Sequence, residues 1–269
     1  MRTVTLEELL EAGCHFGHQV TRQNPKARDF VFDAREGIHI IDLEKTKQGL
    51  EEAAAFIKSL ASRGGTLILI GTKRQARSII LAEFERVKQD DAHEGLFIVT
   101  QRWIGGIMTN FDAVSKNFEQ LRFLTKRLAD KEEKEKYTKK EMLLWERDRQ
   151  KLDRFYGGIA DLKSIPDAVF IIDTHLEDLA VAESKKMGVT TVGIVDTNAD
   201  PEGIDYPIPA NDDAVGSIKL ITSYMVDAWI EGKKHAKNAK DETHEKREKE
   251  VTKDAKPEKK KVITRKTQI

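Results

Sequence analysis

The sequence has one cysteine, Cys14, in 269 residues, so no disulfide can form within the chain and the paired thiols of a zinc finger or ribbon are missing. No stretch approaches the roughly 20 apolar residues of a membrane-spanning helix. Glu7 and Glu8 stand where a secretion signal would need an apolar run. These absences lead us to expect a soluble protein of the cytoplasm. An excess of either charge is missing too: 46 Lys and Arg balance 46 Asp and Glu. That balance excludes a surface coated uniformly with base. It breaks down locally, because Gly232 to Ile269 holds fourteen Lys and Arg against seven Asp and Glu, leaving +7 in the tail and −7 elsewhere. A polyanion would have to be met by small clusters of cations, since attraction fades over roughly 8 Å at physiological salt.

Charged residues make up 34% of the chain and hydrophobic ones 39%, so a core is available but part of the chain must lie outside it. Thr5 and Glu8 have the spacing of a capping box for a first helix ending near Gly13. Cys14 to Arg35 has no regular period and reads as an ordered loop, with a short strand at Phe30-Val31-Phe32. Then apolar runs alternate with amphipathic segments. The strands are Ile38 to Ile41, Thr66 to Ile70, Leu96 to Val99, Ala168 to Ile172 and Thr190 to Val195. The helices are Leu43 to Ser62, Arg74 to Val87, Leu176 to Met187 and Asp213 to Ile230. This order predicts an α/β fold of three layers, a mainly parallel sheet covered by helices on both faces. The α/β domain is expected to comprise residues 1–110 and 157–231.

Residues 111–156 interrupt the pattern. Val114, Phe118, Leu121 and Leu128 keep heptad-like spacing, as do Met142, Trp145 and Leu152 beyond a charged stretch at Asp130 to Lys136. Such spacing predicts an inserted antiparallel coiled-coil hairpin with Tyr137 near its tip. Residues 232–269 are Lys-rich and poor in large apolar side chains, and are expected to be disordered.

Several motifs carry chemistry. Gly71-Thr72-Lys73-Arg74-Gln75 lacks the glycine spacing of dinucleotide and phosphate loops. It does bring Lys73, Arg74 and Arg77 to a helix start, where they are either solvated or held against phosphate. Cys14-His15-Phe16-Gly17-His18 has too few partners of natural spacing for zinc, and His15 and His18 can stack on or hydrogen-bond to RNA bases. In Arg102-Trp103-Ile104-Gly105-Gly106 the glycines permit a tight turn or a close backbone approach. Trp103 then belongs either to the core or to a stacking surface beside Arg102. Asp173 and Asp196 each follow a strand, with Asp200, Asp212 and Asp213 in reach. Paired carboxylates can bind a metal or act as acid and base, and they also serve as turn and cap residues. No nucleophile or phosphate cradle accompanies them, so no cofactor, metal or catalytic residue is assigned.

Taken in order, Glu11 to His18, Asn24-Pro25-Lys26, Gly37 to Leu43, Gly71 to Gln75, Arg102 to Gly106, Thr109-Asn110-Phe111, Thr138 to Glu141, Ile165-Pro166-Asp167, Val195 to Asn198 and Asp205 to Pro209 resemble the bacterial small-subunit ribosomal protein S-two family over roughly Leu6 to Gly232. Cys14, Ile107 and His175 depart from its usual residues. The resemblance implies a flavodoxin-like domain with a coiled-coil hairpin, bound to small-subunit ribosomal RNA between head and body. It also implies docking of the S-one protein, which captures messenger RNA, contact with other small-subunit proteins, and no membrane. The residues expected at RNA are His15, His18, Asn24, Lys26, Lys73, Arg74, Arg77, Arg102, Lys139 and Lys140. Two rival readings are an enzyme working at the sheet's carboxyl edge and a coiled-coil adaptor without RNA.

Overall fold

The structure is a computed structural model that describes residues 2–130 and 137–254, with side chains to 237. In chain order its first half holds α1 (Leu6–Glu11), β1 (Phe16–Gln19), β2 (Val31–Arg35), β3 (Ile38–Ile41), α2 (Leu43–Ser62), β4 (Leu67–Ile70), α3 (Arg74–Gln89) and β5 (Leu96–Val99). The second half holds α4 (Phe111–Ala129), α5 (Lys139–Tyr156), β6 (Ala168–Ile171), α6 (Asp178–Met187), β7 (Thr190–Val195), β8 (Tyr206–Pro209) and α7 (Val215–Asp254). Among the described residues no helix is long and apolar enough to cross a membrane.

Five strands, in the order β5-β4-β6-β7-β8, form one wholly parallel sheet. Its central strands read as continuous apolar runs because both faces are covered. Leu67, Leu69, Ala168 and Phe170 point into one core with side chains of α2, α3 and α7. Ile68, Ile70, Val169 and Ile171 point into the other, with Trp103, Ile107, Phe118 and Ala180. The period-two alternation of each strand thus feeds two hydrophobic layers.

Ile38–Ile41 is not the first strand of that sheet, contrary to the alternation read from the sequence. It is the centre of a separate antiparallel sheet, β1-β3-β2. The cause is local: Glu36 and Gly37 have φ of 50° and 79°, the left-handed pair of a two-residue hairpin turn, and Arg35 pairs with Ile38 across it. β1 falls inside the stretch read as a loop, and β8 went unread.

The Thr5–Glu8 capping box is present on α1, and Thr138 with Glu141 forms another on α5. Helices α4 and α5 pack on each other, with Phe118 and Tyr156 edge to face at 5.6 Å. Val114, Phe118, Leu121 and Leu124 are buried on α4, whereas α5 buries no residue. Arg127 lies 4.3 Å from the Tyr137 ring and 4.0 Å from that of Trp145. The expected tip at residues 131–136 lies outside the described residues.

The segment from Gly232 was expected to lack order, yet α7 continues as helix to Asp254. Packing on the domain accounts for its first turns, as far as Lys237. Gly232 sits so close to α2 that a Cβ there would meet the Lys58 carbonyl at 2.4 Å. Lys233 lies over the Trp229 ring at 4.9 Å, and Lys237 Nζ reaches Asp91 Oδ2 at 2.7 Å. Residues 255–269, including Val262 and Ile263, lie outside the described residues.

Candidate functional site

Parallel strands deliver their following loops to one edge, and here that edge is acidic. Asp173 follows β6, Asp196 follows β7, and Asp212 and Asp213 follow β8; Lys73 enters from the loop after β4. Lys73 Nζ lies 2.8 Å from Asp173 Oδ2, 2.8 Å from Asp212 Oδ1 and 2.7 Å from Asp213 Oδ1. Burial disfavours its charge, but the carboxylates, Asp212 first, outweigh that and hold its pKa above the ordinary lysine value. Asp212 is fully buried and its Oδ2 has no hydrogen-bond partner. Desolvation, then repulsion by Asp173 and Asp196, pushes its pKa up to about 7. Desolvation also raises Glu177, whose carboxylate accepts from Thr72 Oγ1.

The small antiparallel sheet caps this edge. Its approach depends on Gly17, where a Cβ would meet Thr197 Cγ2 at 2.7 Å. The His18 amide donates to Thr197 Oγ1 at 2.9 Å, and the Asn24 amide to the Thr197 carbonyl at 2.8 Å. His18 Nδ1 then lies 3.1 Å from Asp196 Oδ1, and Nε2 3.5 Å from Asp213 Oδ2. The contact with Asp196 raises the imidazole's pKa against the effect of burial. One ligand atom each from His18, Asp196 and Asp212 fall within 4.8 Å of one another, a spacing that fits a cation.

The residues expected at RNA therefore divide. His18 and Lys73 come together among carboxylates. Lys26 pairs with Asp200 at 2.8 Å and with Glu202, which raises its pKa. The Asn24 side chain caps the turn Pro25–Phe30 by accepting from the Lys26 amide. Arg77 donates to the Thr72 carbonyl at 2.8 Å. His15 lies against Phe16, ring centroids 3.9 Å apart, and burial lowers its pKa. In contrast, Arg74, Arg102, Lys139 and Lys140 are exposed and, among the described residues, free of ion pairs. They mark three places on the molecule: the start of α3, the loop after β5 and the start of α5.

Two features were missed from sequence. A groove of about 760 Å³ runs between α1 and the outer face of the antiparallel sheet, lined by Leu10, His15, Phe16, Phe32, Ile38 and Ile40. Phe32 is 72% exposed there. The signal was available in β2 and β3, since large apolar residues on both phases of a short strand leave one set uncovered. The other is Glu183, buried beneath Gly105-Gly106.

Two comparisons bear on this arrangement. The profile of the family described as ribosomal protein S2 matches residues 9–232. The small ribosomal subunit protein uS2 of Corynebacterium urealyticum is 45% identical over 234 residues, covering 87% of this chain and 84% of that protein.

Proposed function

The chain belongs to the ribosomal protein S2 family, structural proteins of the small ribosomal subunit and not enzymes, and from that premise we propose that it grips small-subunit ribosomal RNA through the cations its own carboxylates leave free. The observation that carries this reading is the division just described. Arg74, Arg102, Lys139 and Lys140 are exposed and unpaired among the described residues, while Lys26 and Lys73 are held by acid groups. Free cations release counterions from a phosphate backbone at little cost, whereas a paired one must first give up its carboxylate. His15, His18, Asn24, Lys26, Lys73 and Arg77 in this reading shape the surface and order its loops rather than supply the main electrostatic grip.

Helices α4 and α5 act as an antiparallel coiled-coil arm inserted into the α/β domain, extending the basic surface beyond it. The domain comprises residues 1–110 and 157–231. Docking of the S-one protein falls to the groove at Phe16 and Phe32. An exposed apolar strip bordered by Asp33, Arg35 and Glu36 suits a protein segment with an apolar anchor, not RNA.

Sucrose-gradient sedimentation of the full chain with small subunits lacking it tests the RNA reading. Wild-type protein should travel with the subunits at low salt and leave them progressively as salt rises. A chain that stays at the top of the gradient at low salt refutes the proposal. For docking, Phe32→Ser should lose the S-one protein from reconstituted subunits while remaining bound itself; retention of the S-one protein would reject the groove.

A further inference from the structure

The glycine pair after β5 brings backbone up to one buried carboxylate. Glu183, on α6, is 5% exposed. Its Oε1 accepts from the Gly106 amide at 2.7 Å and the Trp103 indole at 3.4 Å. Its Oε2 accepts from the amides of Met108 and Thr109, both at 3.1 Å, and from Thr109 Oγ1 at 3.2 Å. Next to it, Ser184 Oγ lies 3.5 Å from Met108 Sδ. Gly106 has φ of 97°, a value that side chains rarely adopt. At Gly105 a Cβ would come within 3.2 Å of Leu179 Cδ2. The unusual backbone is thus what turns three amides toward one acceptor.

Position gives this arrangement a consequence. The loop that Glu183 gathers begins beside Arg102 and ends at Thr109, two residues before α4 starts. At the arm's far side α5 itself buries no residue, and its anchors are Tyr156 against Phe118, buried Ile159 just beyond it and the Arg122 bond to the Ala160 carbonyl. None of these holds the Gly106–Thr109 turn from which α4 starts. We infer that Glu183 is the positioning residue of the arm: by holding the Gly106–Thr109 backbone to α6 it sets the direction in which α4 and α5 leave the domain, and with it the spacing between Arg102 and the Lys139–Lys140 pair. The purpose of this latch rests on the RNA reading above; its geometry does not. A multivalent grip gains from fixed spacing, since cations that must search for their phosphates lose the advantage of being linked.

Spin labels on exposed sites test the latch in the full chain. With Arg147→Cys on the arm and Lys219→Cys on α7, the buried Cys14 being left in place, wild-type protein should give one narrow interlabel distance distribution. Glu183→Gln turns an acceptor into a group that also donates, so it cannot satisfy the same five donors. The folded variant should show a broadened or displaced distribution and about tenfold weaker small-subunit binding, the factor that ~1.4 kcal/mol represents. A stabilising residue with no positioning role would lower the melting temperature and leave the distribution of the folded protein unchanged, and that result overturns the inference. A shifted distribution with undiminished subunit binding upholds the latch and counts instead against RNA contact by the arm. Should Glu183→Gln fail to fold, hydrogen exchange in the wild-type chain decides: the Gly106, Met108 and Thr109 amides must be protected as well as those of β4, and exchange at peptide rates sinks the latch.

Discussion

The elbow after β5, the turn from Trp103 to Thr109 that Glu183 holds, and the carboxyl edge of the sheet both bury carboxylates, and they treat them in opposite ways. At the elbow, burial works against the charge of Glu183, but the Gly106, Thr109 and Met108 amides outweigh it and the pKa falls below the usual range. At the edge, Asp212 meets Lys73 but also Asp173 and Asp196, and its pKa rises to about 7. Both side chains are almost fully buried. The difference lies in the donors supplied, so burial alone does not decide whether a carboxylate stabilises its surroundings.

The comparison fails most visibly if the elbow can be emptied without cost. Glu183→Ala leaves three amides and an indole without their acceptor, and should destabilise the chain by about 3 kcal/mol in urea unfolding at neutral pH. Because the folded pKa is depressed, the stability that Glu183 contributes is present above its unfolded value of 4.5 and disappears as pH falls through the folded value. The wild-type and Glu183→Ala curves should therefore converge in acid.

Asp212 should behave in the reverse sense. A carboxyl whose folded pKa is raised is penalised once the solution demands its ionisation, so stability declines as pH climbs from 3.8 toward 7. Asp212→Asn should remove that decline and stabilise the chain at pH 8 by about 2 kcal/mol. A variant less stable than wild type at pH 8 would show that the contact with Lys73 outweighs the repulsion.

Surface charge sharpens the contrast further, since exposed cations affect binding without affecting the fold. Replacing both Lys139 and Lys140 by Glu should reduce the salt dependence of subunit binding by about two phosphate contacts. Unfolding should shift by under about 0.5 kcal/mol. An unchanged salt slope would remove the start of α5 from the RNA surface. The smallest expected effect on the fold is that of Phe32→Ser, within about 0.5 kcal/mol because the ring is 72% exposed.

How much of this was legible follows from physical reach. Strands β4 to β7 are apolar runs, and α2, α3 and α4 announce themselves by period, although on α4 the fourth buried position is Leu124 and not Leu128. The Asp cluster after the strands could be placed at one edge from topology alone. Its capture of Lys73 could not, because side chains from the loops after β4, β6 and β8 meet only in three dimensions. β1, Phe16-Gly17-His18-Gln19, carries no strand signal; it is ordered by pairing with β3 and by the fit of Gly17 to Thr197. Glu183 looks like any solvated residue on an amphipathic helix, and only the fold reveals that Gly105-Gly106 lies over it. The glycine pair was read as a place of close approach, but not what it approached.

Strand β8 bears on how this chain behaves before it reaches a partner. Its pairing with β7 leaves an outer side, and there the Pro209 carbonyl accepts from Thr46 Oγ1 while the Pro207 carbonyl faces Gly49 at a distance too short for any side chain. The N–H groups that would accompany those carbonyls do not exist, since proline has none. An incoming strand from a neighbouring nascent chain would find neither donors nor free acceptors along this border. The parallel sheet is therefore guarded against edge-to-edge aggregation at the strand farthest from β5.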